Sequence, residues 1–307
     1  MSERPEAPSP EAPPIVQAHR APETPVVAAP RRKNAAAPGF LYAAMRVFEL
    51  SIGEMLWSRR TVFMGLLCGV PVIIALVLRG LRELGAAPIN VNNVAVNGPV
   101  IFGIIVWLLF IRFIVPILGV FYGTALIADE VEDKTITYLF TRPIPRSAIL
   151  LGKYFAYLVC TIFVVLPSLI VVWLLIVPMG GNLGPSFPDL LKDLGLLAVG
   201  LSAYGALFAL AGAVLKRPLL IGLIYVLGWE PVIMVVPGYL KRLTVAFYLQ
   251  GFVPHAMPSD SPLSLIQELF RETPGVVESV IWLVIIIGLS LFLGGRAVSK
   301  REYVLEQ

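Results

Sequence analysis

Six runs of predominantly apolar residues dominate this chain: Thr61–Leu78, Val100–Ile127, Leu151–Val177, Leu194–Leu215, Pro218–Val236 and Ser279–Arg296. A helix needs about 20 such residues to cross a hydrocarbon core of about 30 Å, and in lipid its backbone must satisfy its own hydrogen bonds. The runs therefore predict an all-α polytopic membrane protein with six transmembrane helices. Composition points the same way. The chain is 57% hydrophobic and only 14% charged, against roughly 25% charged in a typical soluble domain. The second and third runs exceed the length of a perpendicular crossing, so they tilt or project beyond the bilayer.

Basic residues near span ends set orientation. With the N-terminus inside, twelve gather on the inner face: Arg46, Arg59, Arg60, Lys134, Arg142, Arg146, Lys153, Lys216, Arg217, Arg296, Lys300 and Arg301. Six gather outside: Arg79, Arg82, Lys192, Lys241, Arg242 and Arg271. Both termini are then expected in the cytosol. The net charge of +4 is this orientation signal, and no nucleic-acid partner is expected. Cys68 and Cys160 lie inside apolar runs and read as small packing groups, not as a disulfide.

The segments outside the spans are also informative. Residues 1–39 hold nine prolines and few bulky apolar side chains. They cannot bury enough surface to offset ordering, which predicts a disordered cytosolic tail, with partner binding as the alternative. Across 40–60, Leu41, Met45, Phe48, Ile52 and Met55 recur at helical spacing. That pattern predicts an amphipathic interfacial helix, or else a cytosolic extension of the first span. Residues 238–278 are too apolar for a plain loop. They predict two short outer helices between spans five and six, at 239–251 and at 261–273, the latter with Ser261 as N-cap and Pro262 at its first position.

Catalytic signatures are lacking. The only Gly-Lys pair, Gly152-Lys153, precedes Tyr154 and has no upstream P-loop glycine, so the chain is not expected to hydrolyse ATP. There is no H-E-x-x-H and no metal-ligand cluster, so no catalytic or metal site is expected. His19 and His255 fall in the tail and the outer segment.

The sharpest polar feature is the island at 128–147, between the second and third spans. Asp129, Glu130, Glu132 and Asp133 crowd the inner end of a helix, where the macrodipole disfavours anions. Leu139 and Phe140 offer an apolar knob, Pro143 and Pro145 stop the helix, and Ser147 is placed to cap the next one. Chemistry alone leaves two readings: a docking surface for a soluble partner, or a solvated juxtamembrane loop.

This island resembles the loop between the second and third spans of ABC type-2 permeases. The match runs through Glu130, Thr135, Leu139, Arg142, Pro143, Arg146, Leu151, Gly152 and Lys153, with Lys134 where the family often has Gly. The resemblance implies a coupling helix seated in a cleft of a separate ATP-binding subunit. The docking residues would be Asp129, Glu130, Glu132, Asp133, Thr135, Leu139, Phe140, Arg142, Pro143, Arg146 and Lys153. It further implies an exporter in the bacterial inner membrane, no cofactor in this chain, and ATP and Mg on the partner. Its assembly would be a homodimer, or a heterodimer with a second permease, among membrane lipids.

Two further constellations stand out. Arg112 lies about 18 Å into the second span and Glu230 about 18 Å into the fifth from the opposite face, at 1.5 Å per residue. Charges at such depth need a partner or water. Pro116 would free the carbonyl of Arg112, and Pro231 would break its helix beside Glu230 and free the carbonyl of Leu227. The two residues read as a structural pair or as part of a substrate pathway. Gly65 and Gly69 form a GxxxG, and Gly205, Ala209 and Ala213 recur every fourth residue. Such faces serve packing within one subunit or dimerisation, and the resemblance puts Gly65 and Gly69 near a dimer interface. Alternative functions are a secondary ion-coupled carrier using Arg112 and Glu230, and a non-transporting membrane scaffold.

Overall fold

The computed structural model describes residues 39–85, 90–91, 94–95, 97–132, 145–235, 239–252 and 274–300. The tail at 1–38, most of the expected coupling loop and the expected helix at 261–273 lie outside the described residues. The described chain is helical apart from a small antiparallel pair, Asn90–Val91 with Val94–Ala95. Helix α1 is Phe40–Leu56, α2 Arg59–Glu83, α3 Gly98–Glu132 and α4 Arg146–Ile176. Helix α5 is Leu183–Val214, α6 Pro218–Val235, α7 Val245–Gln250 and α8 Val276–Lys300. A 3-10 turn, Tyr239–Leu243, leads into α7.

Among the described residues five helices, α2, α3, α4, α5 and α8, are long and apolar enough to cross a membrane. The expected fifth span, Pro218–Val236, is represented by α6. Its helical turns run from Pro218 to Val235, a rise of about 27 Å. Helix α5 begins at Leu183, well before the expected Leu194. Pro185 sits in its first turn, where a missing N–H is tolerated, and the Lys192–Asp189 pair at 2.9 Å bridges the next turn.

Helices α3 and α5 form the centre of the bundle, while α2 and α8 lie at its perimeter. Val62, Leu66 and Ile73 on α2, and Val277, Val284 and Phe292 on α8, are all at least 60% exposed. Apolar surface on this scale is what lipid solvates and water does not; this is a membrane protein with several apolar helices. At the centre, glycines let α3 approach α5. A Cβ on Gly119 would meet the Tyr204 Cβ at 2.6 Å, and one on Gly123 the Phe208 Cβ at 2.8 Å.

Helix α1 uses small residues to join the bundle. Ala43, Val47 and Ser51 are buried. A Cβ on Gly152 of α4 would meet the Ala44 carbonyl oxygen at 2.5 Å and the Val47 Cβ at 2.8 Å. Of the expected apolar stripe, Leu41 and Met45 stay exposed, and Phe48, Ile52 and Met55 are half-buried. The large side chains are thus free for lipid, because the small-residue face already makes the protein contact.

Pro116 and Pro231 follow widened helical turns and do not break their helices. Residues Val106–Ile114 and Tyr225–Trp229 are π-helical and end just before the Val115-Pro116 and Glu230-Pro231 steps. The N–H of Val115 bonds the Phe110 carbonyl, and that of Glu230 bonds the Tyr225 carbonyl. Each is a five-residue span. A π turn shifts the ladder, so the missing proline N–H opens no gap. Both carbonyls expected to be freed, those of Arg112 and Leu227, fall inside these π segments.

Candidate functional site

Glu230 is 3% exposed. Its Oε1 accepts hydrogen bonds from the Tyr204 hydroxyl at 2.6 Å and the Ala246 N–H at 3.1 Å. These donors come from α5 and from the first turn of α7. The carboxylate therefore sits at a helix N-terminus, where unsatisfied N–H groups favour an anion. Thr244 caps the same turn, its Oγ1 accepting from the Phe247 N–H at 3.4 Å. Every residue of α7 is buried. The segment following α6 thus folds back into protein, and Glu230 holds its entry.

Among the described residues no ion pair joins Arg112 to Glu230. The Arg112 guanidinium lies over the Trp107 ring, 5.7 Å from its centroid, a cation–π geometry on its own π-helical segment. The structure brings both residues to widened helices. It gives Glu230 a hydroxyl and a backbone amide as direct partners.

At the end of the bundle where the polar island emerges, α3 continues in helical turns to Glu132. Asp129 pairs with Arg60 at the start of α2, both side chains partly exposed. Glu130 and Glu132 lie on the last helical turn of α3. Asp133, Thr135, Leu139, Phe140, Arg142 and Pro143 lie outside the described residues. Helix α4 starts at Arg146 with Pro145 in the N-cap position and no side-chain cap, so Ser147 does not cap it. Lys153 is only 9% exposed. Gly152 beside it provides the seat for α1, as described above.

The small-residue motifs divide. A Cβ on Gly205 would collide with the Tyr157 ring, and Ala209 and Ala213 are fully buried; this stripe faces the interior of one subunit. Around Gly65 and Gly69 a Cβ meets nothing within 4 Å.

The tyrosines escaped the sequence reading. Besides Tyr204, Tyr157 donates to the Leu201 carbonyl and Tyr154 to the Ser202 carbonyl, both at 2.9 Å, tying α4 to α5. The available signal was chemical: a tyrosine buried in an apolar span must find an acceptor for its hydroxyl.

The family model described as ABC-2 family transporter protein matches residues 26–297. No curated protein matches the chain. Proteins of this family are membrane components of transporters, not themselves enzymes, and normally work with an ATP-binding subunit. With a match over most of its length and an apolar helical bundle to carry it, this chain belongs to the ABC-2 transporter family.

Proposed function

We propose that the chain is the permease subunit of an ABC exporter, with six spans, both termini cytosolic, in a bacterial inner membrane. A separate ATP-binding subunit, carrying ATP and Mg, docks on the 128–147 island. Two permease copies, or this chain and a second permease, assemble with it. Closure of the ATP-binding subunits on nucleotide then pushes on the island and moves α3 and α4, which flank it. The residues that differ in contact between the two states carry the coupling. The proposed docking set is Asp129, Glu130, Glu132, Asp133, Thr135, Leu139, Phe140, Arg142, Pro143, Arg146 and Lys153.

One observation carries this reading: α3 does not end with its apolar span but runs on helically through Asp129, Glu130 and Glu132. A force applied at the island meets a rigid lever that is continuous with the centre of the bundle. The test is co-purification with the ATP-binding subunit, and its ATPase rate, for Glu130→Lys and Arg142→Glu. Normal membrane insertion with lost stimulation is expected. Unchanged assembly together with unchanged stimulation sinks the docking assignment.

A further inference from the structure

We propose that the cavity at the island end of the bundle binds the headgroup of an anionic phospholipid. The cavity has a volume of ≈ 550 Å³, within the range of about 300–1,000 Å³ usual for small-molecule sites. Three elements meet there: the start of α2, the end of α3 and the α5–α6 junction. The charged residues in its lining are Arg60, Lys216, Arg217 and Asp129. Asp129 is matched by Arg60. Lys216 and Arg217 are exposed, and among the described residues neither has an acidic partner. Among the described residues, this leaves Lys216 and Arg217 as the cations of the lining that can face a ligand.

Backbone and hydroxyl donors add to them. Pro218 opens α6 at its first position, and the first intrahelical bond is from the Ile221 N–H to the Arg217 carbonyl. The N–H groups of Leu219 and Leu220, both in the cavity lining, therefore have no acceptor within the helix. Tyr122 also lines the cavity and is 3% exposed; its hydroxyl makes no hydrogen bond within 3.5 Å among the described residues, with the Thr61 side chain its neighbour just beyond. Cations, a helix N-terminus and a hydroxyl together favour a phosphate oxygen.

The apolar walls distinguish a lipid from a free anion. Phe63 and Phe121 pack with ring centroids 5.0 Å apart. Phe63, Leu219 and Leu220 are 39%, 42% and 52% exposed. They continue the apolar surface of the perimeter into the cavity, so that a headgroup at the basic end leaves its acyl chains against hydrocarbon. Asp129 joins the cavity to the start of the docking island. Occupancy by lipid would therefore stiffen the α3 lever at its exit. The assignment of this site to the inner leaflet rests on the orientation proposed above; the site itself does not.

The test uses the full chain in detergent and follows its unfolding temperature. The probes are dioctanoyl-phosphatidylglycerol, dioctanoyl-phosphatidylcholine and inorganic phosphate. The phosphatidylglycerol is expected to give a saturable upward shift that neither other probe reproduces. Lys216→Gln with Arg217→Gln should weaken the apparent affinity about twenty-fivefold, at roughly fivefold per cation. Arg296→Gln with Lys300→Gln, which lie outside the cavity, should leave it unchanged. If the double variant does not fold, Arg217→Gln alone is read the same way. An equal shift with phosphatidylcholine overturns the proposal, as does undiminished affinity in the Arg217 variant. A shift by phosphate alone shows a free-anion site and overturns the lipid assignment. Efficient copy-to-copy disulfide formation by Arg217→Cys, in a background lacking Cys68 and Cys160, shows a subunit interface there and also overturns it. Detergent binding is blind to orientation, so its failure is separate from any failure of the topology.

Discussion

Tyr204 on α5 donates its hydroxyl to Glu230 on α6 across 2.6 Å, and the Ala246 N–H takes the same carboxylate oxygen. One acidic side chain thus ties three segments together: two helices of the bundle and the short helix α7, which packs against α5 and α8. A buried carboxylate with such donors organises the segment it holds.

A double-mutant cycle tests this. Tyr204→Phe should lower stability by about 1–3 kcal/mol, the range for a hydrogen bond to a buried or charged acceptor. Glu230→Ala should cost more, because it strands two donors, and Glu230→Gln less, because its amide oxygen still accepts. The coupling between Tyr204 and Glu230 should exceed that between Arg112 and Glu230 in thermal unfolding. A larger coupling for the Arg112 pair would favour a direct Arg112–Glu230 clasp.

Gly205→Ala should destabilise by about 1–3 kcal/mol, since its Cβ runs into the Tyr157 ring. Tyr157→Phe should not rescue it, because the ring remains; Tyr157→Leu should rescue part. Gly65→Ala and Gly69→Ala have free space and should leave the stability of the single subunit unchanged. A fall in dimer fraction with these two variants would assign that face to dimerisation; no change in size-exclusion behaviour would remove it from the interface.

Gly152→Val should dislodge α1, because the added atoms meet the Ala44 carbonyl and the Val47 side chain. Trypsin cleavage at Arg46 in detergent should then accelerate while the bundle stays folded by circular dichroism. Unaltered cleavage would show that α1 is held by something other than this seat.

The proposed topology predicts a labelling pattern. In a background lacking Cys68 and Cys160, cysteines at Asn92, Ser186 and Ser259 should react with an impermeant maleimide from outside the cell. A cysteine at Ser147 should not. Strong labelling at Ser147 from outside would reverse the orientation and remove the docking role of the island.

The Thr244 cap offers a local check on the segment that Glu230 holds. Thr244→Ala should cost about 1 kcal/mol, the usual loss for an N-cap. Amide exchange at Phe247 should rise before exchange in α5 does. Uniform protection loss across the bundle would show that α7 is not a separate unit of opening.

The sequence by itself determined the membrane class, the apolar helices and the family. Those follow from run length, since a bilayer demands a minimum of apolar residues, and from the motif around Glu130 and Gly152. It also led to the expectation that Arg112 and Glu230 lie at similar depth, counted as residues times the rise of a regular helix. Only the tertiary structure decided their partners. Which way a side chain points depends on rotation about the helix axis, and the π segments before Val115-Pro116 and Glu230-Pro231 change that rotation in a way the run of apolar letters does not record. Glu230 consequently meets Tyr204 from another helix and an amide sixteen positions along the chain, while Arg112 turns to Trp107. The same limit hid the roles of the glycines. Gly65 and Gly205 look alike in a small-residue repeat, and only the neighbour each faces, open space or the Tyr157 ring, separates them.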